Sequence, residues 1–263
     1  MTHPINHSVC RWCYAEIPLD RLCAEAVRLG IGSIDLVTPA DLPLLQSYGL
    51  TCAMLSNPTA IAPDGQTVGT IERAWNRPEY HECLVQAYLP YLELSAAAGA
   101  KNVICFSGNR AGLDDISGMN HCAAGISRLL PTVQRLGLTL TMELLNSKVD
   151  HPDYMCDHSA WGVALCDQVG SDHFKLLYDI YHMQIMEGDV IATIGKYHTY
   201  FSHYHTAGVP GRNEIDDTQE LNYPAIIRAI RETGYRGYVA QEFRPTGGQP
   251  LSSLKQAIEI CSV

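Results

Sequence analysis

Eight short apolar runs alternate with eight longer amphipathic stretches along nearly the whole chain, and few folds accept that order. The strand-like runs are residues 5–10, 33–37, 51–55, 102–106, 138–143, 175–179, 201–205 and 237–243. Between and after them lie helical stretches at 19–29, 42–48, 78–98, 120–136, 156–169, 190–197, 223–233 and 250–260. Gly30, Gly49, Gly99, Gly137, Gly170 and Gly234 each follow a helical stretch, where a glycine can take the left-handed conformation that stops a helix. Strict alternation over 263 residues predicts a closed (β/α)8 barrel, a TIM barrel, in a single domain spanning 1–263. A doubly wound open sheet is the competitor, but it carries a glycine-rich phosphate turn after its first strand. Here that turn reads Cys10-Arg11-Trp12-Cys13-Tyr14 and has no glycine.

Composition narrows the function classes. A net charge of −10 and the lack of any basic run exclude a general nucleic-acid binder, which needs clustered Lys and Arg. No segment approaches the roughly 20 apolar residues of a membrane helix. With no apolar leader in the first 30 residues, the ten cysteines read as reduced thiols, and a cytoplasmic location is expected. Cys10 and Cys13 form the sole CxxC and lack the second pair that a zinc site requires. The connection 56–78, rich in Pro, Gly, Asn and Thr, is long enough to be a functional loop.

Barrel enzymes place their chemistry at the C-terminal ends of the strands. The last four predicted strands end in Glu143, Asp179, His205 and Glu242. A single strand-end carboxylate is ordinarily a cap or an ion-pair partner, and a single His a satisfied polar group; four in succession point to one site. Three carboxylates meeting in one cavity repel, since two unit charges 4 Å apart cost about 4 kcal/mol at an effective dielectric of 20. A cation resolves that conflict. Oxygen-rich donors with one imidazole suit Mn²⁺ or Mg²⁺, with Co²⁺ also compatible.

His182 follows Asp179 by three residues and is expected to reach a substrate oxygen. His203 shares a strand face with His205 one layer deeper. Arg212, in Val209-Pro210-Gly211-Arg212, is placed to grip a carboxylate or hydroxyl with its planar donor fork. Arg11, Arg110 and Arg244 also follow strand ends as weaker anion binders, and Gly247-Gly248 offers a phosphate turn or a plain helix entry. No strand ends in Lys, no Ser occupies a nucleophile elbow, and no P-loop or dinucleotide fingerprint occurs.

Met142-Glu143-Leu144-Leu145-Asn146, Tyr178-Asp179-Ile180-Tyr181-His182-Met183-Gln184 and Val209-Pro210-Gly211-Arg212 resemble the hydroxypyruvate isomerase family of the xylose-isomerase-like barrel superfamily. Leu221-Asn222-Tyr223-Pro224 and Gln241-Glu242-Phe243 continue the likeness, which covers nearly the whole chain from Trp12 onward. The resemblance implies that Glu143 and Glu242 both bind the metal and exchange the substrate proton. It makes Asp179 and His205 the remaining ligands and puts His182 and Arg212 on the substrate. The implied reaction converts hydroxypyruvate to tartronate semialdehyde, or a close analogue, through an enediol.

The position of His205 is Gln in typical hydroxypyruvate isomerases and His in ketose epimerases, and Asn213 stands where a His commonly follows Val-Pro-Gly-Arg. A ketose 3-epimerase is therefore the alternative enzyme, and a non-catalytic sugar-binding barrel the alternative outside catalysis. The endonuclease-IV-type relatives use extra His ligands on strands 3 and 4, where this chain has Ser56-Asn57 and Ser107-Gly108. The expected partner is a small hydroxy-keto acid or ketose, with no nucleic acid or membrane; homo-oligomerisation is left open.

Overall fold

The computed structural model describes residues 4–263. Its strands, among the described residues, are β1 (Asn6–Cys10), β2 (Ser33–Asp35), β3 (Ala60–Ile61), β4 (Thr67–Val68), β5 (Asn102–Cys105), β6 (Thr139–Glu143), β7 (Phe174–Asp179), β8 (Phe201–Thr206) and β9 (Tyr238–Gln241). Seven of them pair in parallel in the order β2-β1-β9-β8-β7-β6-β5. Helices between successive strands supply the crossovers that parallel pairing demands. The two edge strands, β2 and β5, meet through the segment 51–55. Thr51 bridges to Ser33, and Leu55 bridges to Val103. The Leu36 amide donates to the Met54 carbonyl at 2.7 Å, and the Ile104 amide donates to the Leu55 carbonyl at 3.0 Å. The sheet thereby closes on itself as a TIM barrel.

The expected strand at 51–55 is reduced to its two ends, for a local reason. Its central polar groups are taken by side chains instead of neighbouring backbone. The Ala53 amide donates to Ser33 Oγ at 2.8 Å and Asp35 Oδ1 at 3.1 Å, and Asn102 Nδ2 donates to the Ala53 carbonyl at 2.7 Å. The buried Ala53 and Met54 amides thus find side-chain partners, but no regular ladder forms.

Two helical expectations also change. The stretch 120–136 is two helices, Asp115–Ser127 and Leu130–Leu136. Pro131 has no N–H to continue the first helix, and its ring would clash with the carbonyl of Ser127; it is accommodated in the first turn of the second helix. A further helix, Ile180–Met186, follows β7 without a break. The long connection 56–78 holds the β3–β4 hairpin. Helix stops at Gly137 (φ 64°) and Gly170 (φ 63°) are left-handed, as their sequence positions predict.

The main apolar core fills the layer between sheet and helices. A second, small cluster of Met54, Ile104 and Leu177, flanked by Leu36 and Phe106, packs apart from it. Asp35 and His203, by contrast, are polar groups buried on β2 and β8. Among the described residues no helix is long and apolar enough to cross a membrane.

Candidate active site

Glu143 ends β6, Asp179 ends β7, His205 is the penultimate residue of β8 and Glu242 directly follows β9. Parallel pairing in register sets Asp179 beside His205 and His205 beside Ala240, so the four side chains meet at one end of the barrel. All four are buried, and their ligand-capable atoms lie within 4.8 Å of one another. His205 Nδ1 is 3.2 Å from Glu143 Oε1, 3.0 Å from Glu242 Oε2 and 4.0 Å from Asp179 Oδ2. Yet Glu143 Oε1, Asp179 Oδ2 and His205 Nδ1 make no properly directed hydrogen bond. Buried polar atoms are normally bonded, so a set of orphaned acceptors around one point fits a hard divalent cation. Three carboxylate oxygens and one imidazole nitrogen form a suitable donor set.

Electrostatics divides the carboxylates. Burial raises the Glu143 carboxyl, reinforced by the charge of Glu242. Asp179 is raised well above the ordinary range by the same two causes. Burial also pushes Glu242 upward, but His205 and Arg212 prevail and hold it well below the usual carboxylate range. His205 in turn is raised, because Glu242 and Glu143 outweigh the burial that would lower it. The neighbours thus shift the two glutamates in opposite directions, Glu143 up and Glu242 down.

The backbone after β7 gives Asp179 two tasks. Its Oδ1 accepts from the His182 amide at 3.0 Å, capping the helix Ile180–Met186, while Oδ2 is left for the cluster. That cap places His182 one helical turn onward, completely buried. Its Nδ1 lies 3.1 Å from the Asn146 amide and 2.7 Å from Asn146 Nδ2. A backbone N–H can only donate, so Nδ1 accepts and the ring proton sits on Nε2. Burial, then the charge of Arg212, lowers His182 well below its ordinary value and keeps it neutral. Nε2–H is therefore a neutral donor with no hydrogen-bond partner among the described residues.

Arg212 is drawn into the site. Its guanidinium nitrogen is 2.5 Å from Glu242 Oε2 and 3.8 Å from Asp179 Oδ2, while Nε is buried without a partner. The residue is held at φ 59°, a left-handed conformation that costs a non-glycine residue energy and recurs at functional sites. Trp12 donates from Nε1 to Glu242 Oε1 at 2.8 Å, so both oxygens of Glu242 are fixed. Above these groups lies a cavity of about 350 Å³. Glu143, Glu242, Arg212, His151, Trp12 and Arg244 line it on one part, with Leu36, Ile71, Ile104 and Phe106 among its apolar residues.

Beneath the site, His203 Nε2 is 2.7 Å from Asp35 Oδ2, and its ring meets that of His205 edge to face at 5.2 Å. The deeper layer expected for His203 is where it sits. Cys10 of the CxxC pair approaches His205 Nε2 at 3.6 Å. Other anion-binding expectations are spent on the fold. Arg11 donates to the Tyr14 and Ala15 carbonyls, and Arg110 pairs with Asp157 and Asp115. At Gly247-Gly248 the carboxylate of Glu214 accepts from the Thr246 and Gly247 amides, so that turn is a helix entry already carrying its own anion.

Trp12, Asn146 and His151 were not singled out from sequence. Trp12 and Asn146 act through partners far along the chain, and indole and amide groups alone carry no metal or acid–base signal; His151 is chemically conspicuous but does not end a strand. The available hints are the positions of Asn146 within Met142–Asn146 and of Trp12 at the start of the family likeness.

Known proteins resemble this chain in sequence and in fold. A 2-oxo-tetronate isomerase of Cupriavidus necator is 38% identical over 112 residues, 43% of this chain and 42% of that protein. A hydroxypyruvate isomerase of Escherichia coli is 33% identical over 108 residues, 41% of each chain. These alignments span about two fifths of the relatives' length. Among solved structures, an AP endonuclease, family 2, from Brucella melitensis superposes with a TM-score of 0.81 at 26% identity, covering 95% of this chain and 97% of that one. A D-psicose 3-epimerase superposes with a TM-score of 0.72 at 17% identity, covering 97% and 90%, a likeness of fold. The family model described as xylose isomerase-like TIM barrel matches residues 42–261, and the chain belongs to that family.

Proposed function

We propose that this barrel, acting as one domain, is a divalent-metal-dependent isomerase of a small α-hydroxy carbonyl compound, with a hydroxy-keto acid such as hydroxypyruvate as the leading substrate. The observation that carries the reading is the convergence of Glu143 and Glu242 with Asp179 and His205 in one buried cluster, their ligand-capable atoms within 4.8 Å of one another. The names of the isomerase relatives support it. Glu143, Asp179, His205 and Glu242 would hold the cation, with Mn²⁺ or Mg²⁺ suited to the donors and Co²⁺ an acceptable replacement. When bound, the cation supplies polarisation of the substrate carbonyl, which acidifies the adjacent C–H.

The protein's own groups then move the proton. One of the two glutamates accepts it from carbon, giving an enediolate, while the hydroxyl proton passes between the two adjacent substrate oxygens. The same or the opposite glutamate returns the carbon-derived proton to the neighbouring carbon, which restores the site. His182 Nε2–H donates to a substrate oxygen, and Arg212 has its buried, unpartnered Nε to offer as well. Leu36, Ile71, Ile104 and Phe106 keep that side of the cavity apolar, which strengthens each polar contact.

Return of the proton to the opposite face of the same carbon would be epimerisation. The His at position 205 favours a ketose 3-epimerase as the second reading. Deuterium wash-in separates the readings: metal-loaded protein is incubated in D₂O with hydroxypyruvate and a panel of C4 to C6 ketoses, and products are read by mass spectrometry. Incorporation into one substrate that disappears in Glu143→Gln and Glu242→Gln is expected, with product identity assigning isomerase or epimerase. Incorporation that survives both substitutions would overturn the mechanism.

A further inference from the structure

Two arginines border the cavity, and they are not equivalent. Arg212 is buried and its charge is committed to Glu242 and Asp179. Arg244 is exposed, and among the described residues no carboxylate, carbonyl or hydroxyl accepts from its side chain. What it touches is Trp12, with the guanidinium carbon 5.5 Å from the ring centroid. Trp12 is also 5.1 Å from the guanidinium carbon of Arg212 and bonded to Glu242. The Arg244 amide donates to the Arg212 carbonyl at 2.6 Å, which ties the two backbones together. One indole thus sets the spacing between the carboxylate of Glu242 and the free cation. His151, the other basic side chain on the lining, is lowered by burial and then by Arg212, so it adds no competing charge.

We infer that Arg244 is the specificity-determining residue for an anionic substrate: it takes the terminal carboxylate of a hydroxy-keto acid while the reacting carbons lie against Glu242. This rests on the isomerase reading for the reacting end, but the anion site itself stands on geometry. Arg212 keeps a guanidinium nitrogen on Glu242 and has its Nε to spare, so it lacks the open two-pronged fork that Arg244 presents. A guanidinium preorganised on an aromatic face suits the planar carboxylate, and a neutral ketose would leave it unused.

The test needs a ligand that binds without turning over. Glycerate has the carboxylate and hydroxyls of the substrate class but no carbonyl. Its affinity for the metal-loaded protein is measured by calorimetry in wild type, Arg244→Gln and Arg244→Lys. Loss of one charge-assisted contact predicts weakening of roughly 10- to 100-fold in Arg244→Gln, with partial recovery in Arg244→Lys, which restores charge but not the fork. In turnover, Arg244→Gln is expected to raise KM for hydroxypyruvate far more than it lowers kcat. Equal glycerate affinity in wild type and Arg244→Gln would overturn the inference, as would failure of wild type to bind glycerate. The deuterium experiment is scored separately. Exchange that needs both glutamates alongside Arg244-independent glycerate binding would sink this inference alone. Arg244-dependent binding without any exchange would sink the isomerase reading alone.

Discussion

At the scale of single residues, the site is organised by what each polar atom is prevented from doing. Asn146 is the clearest case. Its Nδ2 donates to His182 Nδ1 at 2.7 Å, while its Oδ1 accepts from the Val149 and Asp150 amides at 3.0 and 2.8 Å. Replacing it with alanine strips acceptors from two backbone amides and one donor from the buried imidazole. Asn146→Ala should cost about 1–3 kcal/mol, read as a lower denaturant midpoint with an unchanged slope; an unaltered midpoint would mean the loop re-forms without it. The metal-capable side chains were legible from sequence because strand-end Glu, Asp and His are chemically conspicuous. Asn146 and Trp12 were not, because amide and indole groups acquire their roles only from the partner that folding brings up: Trp12 meets Glu242 across almost the entire chain.

Among the secondary-structure elements, the strand–helix alternation was readable because each segment is long or apolar enough to declare its period. The failures have definite physical origins. Helix Ile180–Met186 follows β7 with no intervening turn residues, and no glycine or proline marks the change. The cap supplied by Asp179 makes the change, and that residue looked like a ligand. Pro131 splits the 120–136 stretch, a signal that the surrounding helical residues masked. Caps also give a quantitative expectation. Asp114 Oδ1 accepts from the Ile116 and Ser117 amides at 3.1 and 2.9 Å at the start of helix Asp115–Ser127. Asp114→Ala should lower stability by about 1 kcal/mol, detectable as a reduced melting temperature. No shift would mean that water replaces the cap at no cost.

For the whole molecule, pH sensitivity follows from buried histidines. Burial lowers His7 from its ordinary 6.5 to about 4. Between those values the unfolded chain binds more protons than the folded one, so stability rises with pH across the window. The contribution is complete above pH 6.5 and disappears as the pH falls toward 4. It amounts to about 3 kcal/mol at most. His7→Asn should flatten the melting-temperature profile over this range relative to wild type; parallel profiles would show that His7 does not titrate differently on folding. Its origin was hidden in the sequence, where His7 is merely one of eleven histidines.

Asp35 links these scales. One oxygen ties the Ser33 hydroxyl and the 53–54 backbone at the seam of the barrel, and the other faces His203, whose ring abuts His205. Closure of the barrel and alignment of the imidazole are thus two outputs of a single carboxylate. For selection or engineering, they form one trait. A substitution chosen to retune the site from below would have to survive its own effect on the seam, so adaptation of this barrel should proceed from the cavity rim, where Arg244 can change without disturbing the staves.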